Sequence, residues 1–118
     1  MEQQSEIVIT EFDGGAILGF RSASLGDVEQ LRVLSKEIER YVSEKMPRRL
    51  VVDFAGVKFF SSQVLGILLQ LRNRLAKYGG LVVISGINPQ LYRVFKITNL
   101  EKIFEFYADR ESAVAADS

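Results

Sequence analysis

The chain has 118 residues, with fifteen Lys and Arg against fifteen Asp and Glu, and neither cysteine nor histidine. That length fits one domain, 1–118, which can bury roughly two-thirds of its unfolded surface without staples. The missing residue types exclude disulfides, thiol nucleophiles, Ser-His-Asp catalysis and most zinc ligand sets, and a formal charge of zero lacks the basic excess with which nucleic-acid binders neutralise phosphate.

Glu6 to Phe12 (EIVITEF) alternates as a half-buried strand. Asp13-Gly14-Gly15 is a turn of the Asp-Gly type, and Ala16 to Phe20 is the return strand of a hairpin. Asp27 followed by Gln30 resembles a capping box. Behind it Val28, Leu31, Leu34, Ile38, Tyr41 and Val42 recur at helical spacing, and Pro47 stops that helix. Leu50 to Phe54 (LVVDF) is almost continuously apolar, as in strands buried on both faces of a parallel sheet. A helix from about Ser62 to Tyr78 follows and ends at Gly79-Gly80. Leu81 to Ser85 is another buried strand, and Asn88-Pro89 opens a short helix with Leu91, Val94 and Phe95 facing inward. Ile103 to Tyr107 is the last strand, and Asp109 caps a terminal helix.

The order β-β-α-β-α-β-α-β-α predicts an α/β domain with a mixed, mostly parallel sheet of about five strands. Residues 1–5 and 115–118 are expected to fray. The longest strongly apolar run, Val64 to Leu69, is far too short to span a membrane, and the polar start MEQQSEI is no signal peptide. The expectation is a soluble cytoplasmic protein without membrane insertion.

The most informative stretch is residues 51 to 69, VVDFAGVKFFSSQVLGILL. A buried strand ends at the carboxylate of Asp53, and a helix opens on Ser61 and Ser62, at the positive end of its dipole. With Ser61 as N-cap, Phe60 and Leu65 could form a hydrophobic staple, and Ser62 is left available. The plain alternative is that both serines only cap the helix. Asp53 is expected beside them. On the helix, Val64, Leu68, Leu71 and Leu75 share one arc at 100° per residue and must face the sheet. Ile67 and Leu69 lie at the rims of that arc. Leu69 is assigned to cover by neighbouring helices, while Ile67 serves either packing or a partner. Arg72 falls inside the arc and must snorkel to its edge.

These residues resemble the signature of the STAS domain, found in sulfate transporters and anti-sigma factor antagonists. Its pattern is an apolar strand ending in Asp, a loop with an aromatic, then Asp-Ser-Ser-Gly-Leu-Gly and an apolar helix. Val51-Val52-Asp53-Phe54 matches the strand, Phe59 the aromatic, and Leu65-Gly66-Ile67-Leu68-Leu69 the helix. The ending ITNLEKIFEFYADRESAV is similar to the family's close. Counting back from Leu65-Gly66, the family's Asp falls on Ser61, its phosphorylated serine on Ser62, the next Ser on Gln63 and the Gly on Val64.

The resemblance implies strands in sequential order, with helices mainly on one face. A sheet without an order reversal lacks the crevice where open α/β sheets bind nucleotides. It further implies a regulatory protein-binding domain, not an enzyme, with no cofactor or metal. Its partner would be an anti-sigma factor that is also a serine kinase, Ser62 the phosphoacceptor, and Phe60, Val64 and Ile67 partner-binding candidates. Ser61, Gln63 and Val64, standing where the family has Asp, Ser and Gly, favour the alternative: a non-phosphorylated module docking in a larger signalling or transport assembly. An enzyme using Asp53 as general base is the weakest reading, since no second polar group of the needed kind stands nearby in sequence.

Overall fold

The computed structural model describes residues 5–116. The expected fraying at the two termini falls mostly outside these residues. The chain runs β1 (Ile7–Phe12), β2 (Gly15–Phe20), β3 (Ser24–Leu25), α1 (Val28–Lys45), β4 (Arg49–Asp53), β5 (Phe59–Phe60), α2 (Gln63–Ala76), β6 (Leu81–Ser85) and α3 (Pro89–Ile97). A 3-10 turn, Leu100–Lys102, then leads to β7 (Glu105–Tyr107) and α4 (Arg110–Ala115).

The main sheet has the order β1-β2-β4-β6-β7. β1 and β2 form the antiparallel hairpin closed by Asp13-Gly14, and every later pairing is parallel. β4 is the central strand, and all five of its residues are buried. The mixed, mostly parallel sheet agrees with the sequence pattern, and its sequential strand order with what the resemblance implies. Three caps also form as their residues suggest. Asp27, Asn88 and Asp109 accept from the backbone N–H of Gln30, Leu91 and Ser112 at 2.9, 2.9 and 2.8 Å. Only half of the Asp27 box closes, because the Gln30 amide donates to Glu6 and to the Ser24 carbonyl instead.

Side-chain alternation along β4 divides the core. Leu50 and Val52 join Leu34, Ile38, Leu68, Leu71 and Leu75 in the large cluster under α1 and α2. Val51 faces the other way, with Ile17, Val83 and Ala113 in a small cluster under α4. Within the large cluster an aromatic chain runs from Phe20 through Phe54 and Phe60 to Phe95, with centroid separations of 5.3, 5.6 and 6.0 Å. Phe95 also meets Phe104 and Phe106 edge-on.

Two departures from the sequence reading concern local geometry. The final strand begins at Glu105, not Ile103, because Asn99 adopts a left-handed conformation (φ 63°) and winds Leu100–Lys102 into the 3-10 turn. The second is a small parallel pairing, Ser24–Leu25 with Phe59–Phe60, which ties the loop before α1 to the loop before α2.

Candidate functional site

The loop between β4 and α2 is fixed at several points before the helix begins. Lys58 and Phe59 donate their backbone N–H groups to the Ala23 carbonyl at 2.7 and 3.3 Å, and Ser61 donates to the Leu25 carbonyl at 3.0 Å. The Asn88 amide, beside its capping role, donates to the Val57 carbonyl at 3.1 Å. Strand alternation then decides what is presented. Phe60 points inward onto the rings of Phe54 and Phe95, while Phe59 turns outward and is 53 % exposed. Phe59 lies against Gly26, where an added Cβ would come within 2.7 Å of its ring and push the exposed ring aside. Val28, at the first turn of α1, is also strongly exposed.

Four sequence-stated roles need correction here. Ser61 is not the side-chain cap. The cap position is Ser62, in helical conformation (φ −60°, ψ −20°), and its side chain makes no capping bond. The Ser61 backbone is held by Leu25 and its carbonyl accepts from Val64 N–H, while its hydroxyl is buried without a hydrogen-bond partner. Phe60 and Val64, expected to face a partner, are instead buried in the core and present almost no surface. Ile67 is half-buried and lines a groove between α1 and α2 with Ser35, Glu39, Gln70 and Arg74. Leu69 packs against the core, and Arg72 is exposed, as snorkelling requires.

Asp53 does not join the serines. It shares a face of β4 with Val51, the face away from α2, and is 2 % exposed. One carboxylate oxygen accepts from Nε and Nη2 of Arg110 at 2.9 and 2.7 Å. The other accepts from the Ser85 hydroxyl at 2.9 Å and the Ala55 N–H at 3.3 Å. At the far end of the same strand face, buried Arg49 donates to the Ala113 carbonyl at 3.0 Å. The two charges therefore grip α4 near its start and near its end. The Ser112 hydroxyl and N–H hold the Asp109 carboxyl below its usual range. The Glu105 carboxylate beside the Tyr107 hydroxyl, together with burial, pushes that phenol up. These groups organise α4; none of them gathers around an open cleft.

What the described residues present at the N-terminal end of α2 is an exposed Ser62, an exposed Gln63, the ring of Phe59 and, just before it, the exposed Lys58. A surface of that kind suits docking. A family model described as the STAS domain matches residues 3–113. The chain belongs to the STAS domain family. Its members are regulatory, non-catalytic domains.

Two curated proteins match part of the chain. The anti-sigma factor antagonist candidate BtrV of Bordetella bronchiseptica is 32% identical over 73 residues, 62% of this chain and 63% of that protein. A STAS-domain protein of Pseudomonas aeruginosa is 30% identical over 59 residues, 50% of this chain and 58% of that protein. The matched stretch thus spans less than two thirds of either relative. The fold resembles that of an anti-sigma-factor antagonist (STAS) domain protein from Planctomyces limnophilus. The TM-score is 0.87 at 18% identity, covering 98% of this chain and 100% of the other. Among the described residues, no helix is long and apolar enough to cross a membrane.

Because the Ser61 hydroxyl is buried and unpartnered, removing it deletes a desolvated group and no bond. Ser61→Ala is expected to leave stability unchanged or raise it by up to about 1 kcal/mol, with Ser62→Ala near neutral. Urea midpoints of the two variants test this. A clear loss in Ser61→Ala would mean that its hydroxyl does cap the helix.

Proposed function

We propose that this STAS domain is an anti-sigma factor antagonist acting in the cytoplasm. It binds an anti-sigma factor with serine kinase activity, and Ser62 is the phosphoacceptor. The observation that carries this reading is Ser62 itself: exposed, free of any capping bond, and beside the exposed Phe59. The names of the relatives support the partner class. A phosphate there brings about −1.5 to −2 charges. The free N–H groups and dipole of a helix start favour an anion, so the fold tolerates it. The complex does not, because a partner packed over Phe59 and the first turn of α2 would have to bury the new charge unpaired.

A second reading keeps the same surface without the switch. Ser61, Gln63 and Val64 differ from the Asp, Ser and Gly of the family pattern, and with Val64 buried and Ser61 held by Leu25, a kinase would meet a changed loop. One experiment separates the readings. The host's candidate kinase is incubated with the wild type, Ser62→Ala and Ser62→Asp. Binding is followed by calorimetry, and modification by intact mass after ATP is added. The switch reading expects one phosphate on the wild type, none on Ser62→Ala, and binding at least about tenfold weaker for Ser62→Asp. Equal binding by all three without modification would establish the constitutive docking module in its place.

A further inference from the structure

A second surface lies away from Ser62, along the open edge of the sheet. β1 is an edge strand of six residues, twice the length of β7 at the opposite edge. Edge strands of natural proteins are usually blunted by lysine, proline, a bulge or extreme shortness. IVITEF has none of these, its one charge, Glu11, is engaged by the Tyr41 hydroxyl, and its register with β2 runs unbroken from Ile7↔Phe20 to Phe12↔Gly15. The Arg21 N–H donates to the Glu6 carbonyl, which fixes the phase of the ladder. Even-numbered residues bond to β2, so the N–H and C=O groups of Ile7, Ile9 and Glu11 point to the outer edge. The Ser5 hydroxyl occupies those of Ile7. Ile9 and Glu11 offer theirs outward.

The space beside this edge is a groove with a distinct chemistry. Its floor is Ile7 and Ile9, and its wall on α1 is the half-buried row Val33, Glu37 and Tyr41. Above that row stands a second one, Arg32, Lys36 and Arg40, exposed and four residues apart on one helix face. The acids that face the groove are already engaged. Glu37 accepts the Glu6 N–H at 3.0 Å, and Glu11 accepts the Tyr41 hydroxyl at 2.7 Å. Arg32 pairs with Glu29, whereas Lys36 and Arg40 make no ion pair among the described residues.

We propose that β1 and this groove take up an extended, acidic segment of a partner protein as an additional strand of the sheet. Main-chain bonds to Ile9 and Glu11 would hold it, alternate apolar side chains would cover Ile7 and Ile9, and its carboxylates would meet Lys36 and Arg40. Charge selects this occupant over a second copy of the chain. Two copies joined edge to edge would bring their two rows of Arg32, Lys36 and Arg40 together across the seam, a like-charge contact that opposes pairing. The proposal is independent of the reading of Ser62.

The test uses the full chain, isotope-labelled, titrated with acetyl-Glu-Val-Glu-Val-Glu-Val-Glu-amide. The controls are the peptide with lysine for every glutamate and a fully N-methylated copy of the acidic peptide. The expected result is saturable binding of the acidic peptide alone, with amide shifts on Ile7, Ile9, Glu11 and the α1 face from Arg32 to Tyr41. Affinity should fall with added salt and by about tenfold or more in K36E/R40E, whose sites are exposed and leave the core intact. Equal binding of the lysine peptide, retained binding after N-methylation, shifts centred elsewhere, or no binding would each overturn the proposal. So would a sedimentation result showing that the unliganded protein dimerises through this edge.

Discussion

Phe95→Ala should destabilise the domain by about 4 kcal/mol, a large share of the roughly 5–15 kcal/mol that holds a domain of this kind together. Phe95 is fully buried on α3, and its ring meets Phe60, Phe104 and Phe106 at nearly perpendicular angles. Truncation removes the transfer energy of the ring and leaves a cavity among three other rings that cannot close over it. The site should feel the loss as well, because Phe60 is the residue before Ser61 and anchors the loop that presents Ser62. Denaturant midpoints should therefore drop sharply, and amide exchange should rise in residues 57–62 before global unfolding. Phe95→Leu, which refills most of the volume, should cost roughly 1–1.5 kcal/mol. A small loss in the alanine variant would mean that the aromatic chain repacks freely and does not position the loop.

Much of the fold can be read from local chemistry alone. Periodicity marks α1 and α2, continuous apolar runs mark β4 and β6, and Asp27, Asn88 and Asp109 announce their helices. What could not be read depends on contacts distant in sequence. The pairing of Ser24–Leu25 with Phe59–Phe60 involves two residues a side, too few to show a period, yet it sets the phase of the loop. Phe59 is out, Phe60 is in, and Ser61 is pulled down by Leu25 before its hydroxyl can reach a first-turn amide. Asp53 failed for a related reason. In a strand apolar on both faces, Val51 and Val52 look alike, and sequence does not say which face the next polar residue joins. Arg110 and Ser85, which complete the Asp53 cluster, lie far along the chain, and only the parallel register Asp53↔Ser85 brings the serine alongside.

That cluster carries the second large prediction. Asp53→Ala should cost about 2–3 kcal/mol, and Asp53→Asn clearly less. The alanine leaves the fully buried Ser85 hydroxyl without its acceptor and releases the Arg110 guanidinium from two bonds on one oxygen. Arg110 is 41% exposed, so water recovers part of its interaction, which places the cost below that of breaking a fully buried pair. The asparagine keeps a neutral acceptor for Ser85 and fills the same volume, while its NH2 faces the Arg110 donors, which the partly exposed guanidinium can turn to water. Gly86 leaves that space at φ +66°, with no Cβ to approach the Asp53 oxygen. The decisive reading is regional. α4 packs on the sheet through fully buried Ala113 and partly buried Val114, with the two charges at its ends. In Asp53→Ala, amide exchange at Ala113 and Ala116 should accelerate well beyond that of β4 and β6, whose ladders do not involve the carboxylate. Uniform acceleration across the sheet would show that Asp53 supports the whole fold, while an unchanged α4 would show that Arg49 and Ala113 hold the helix without it.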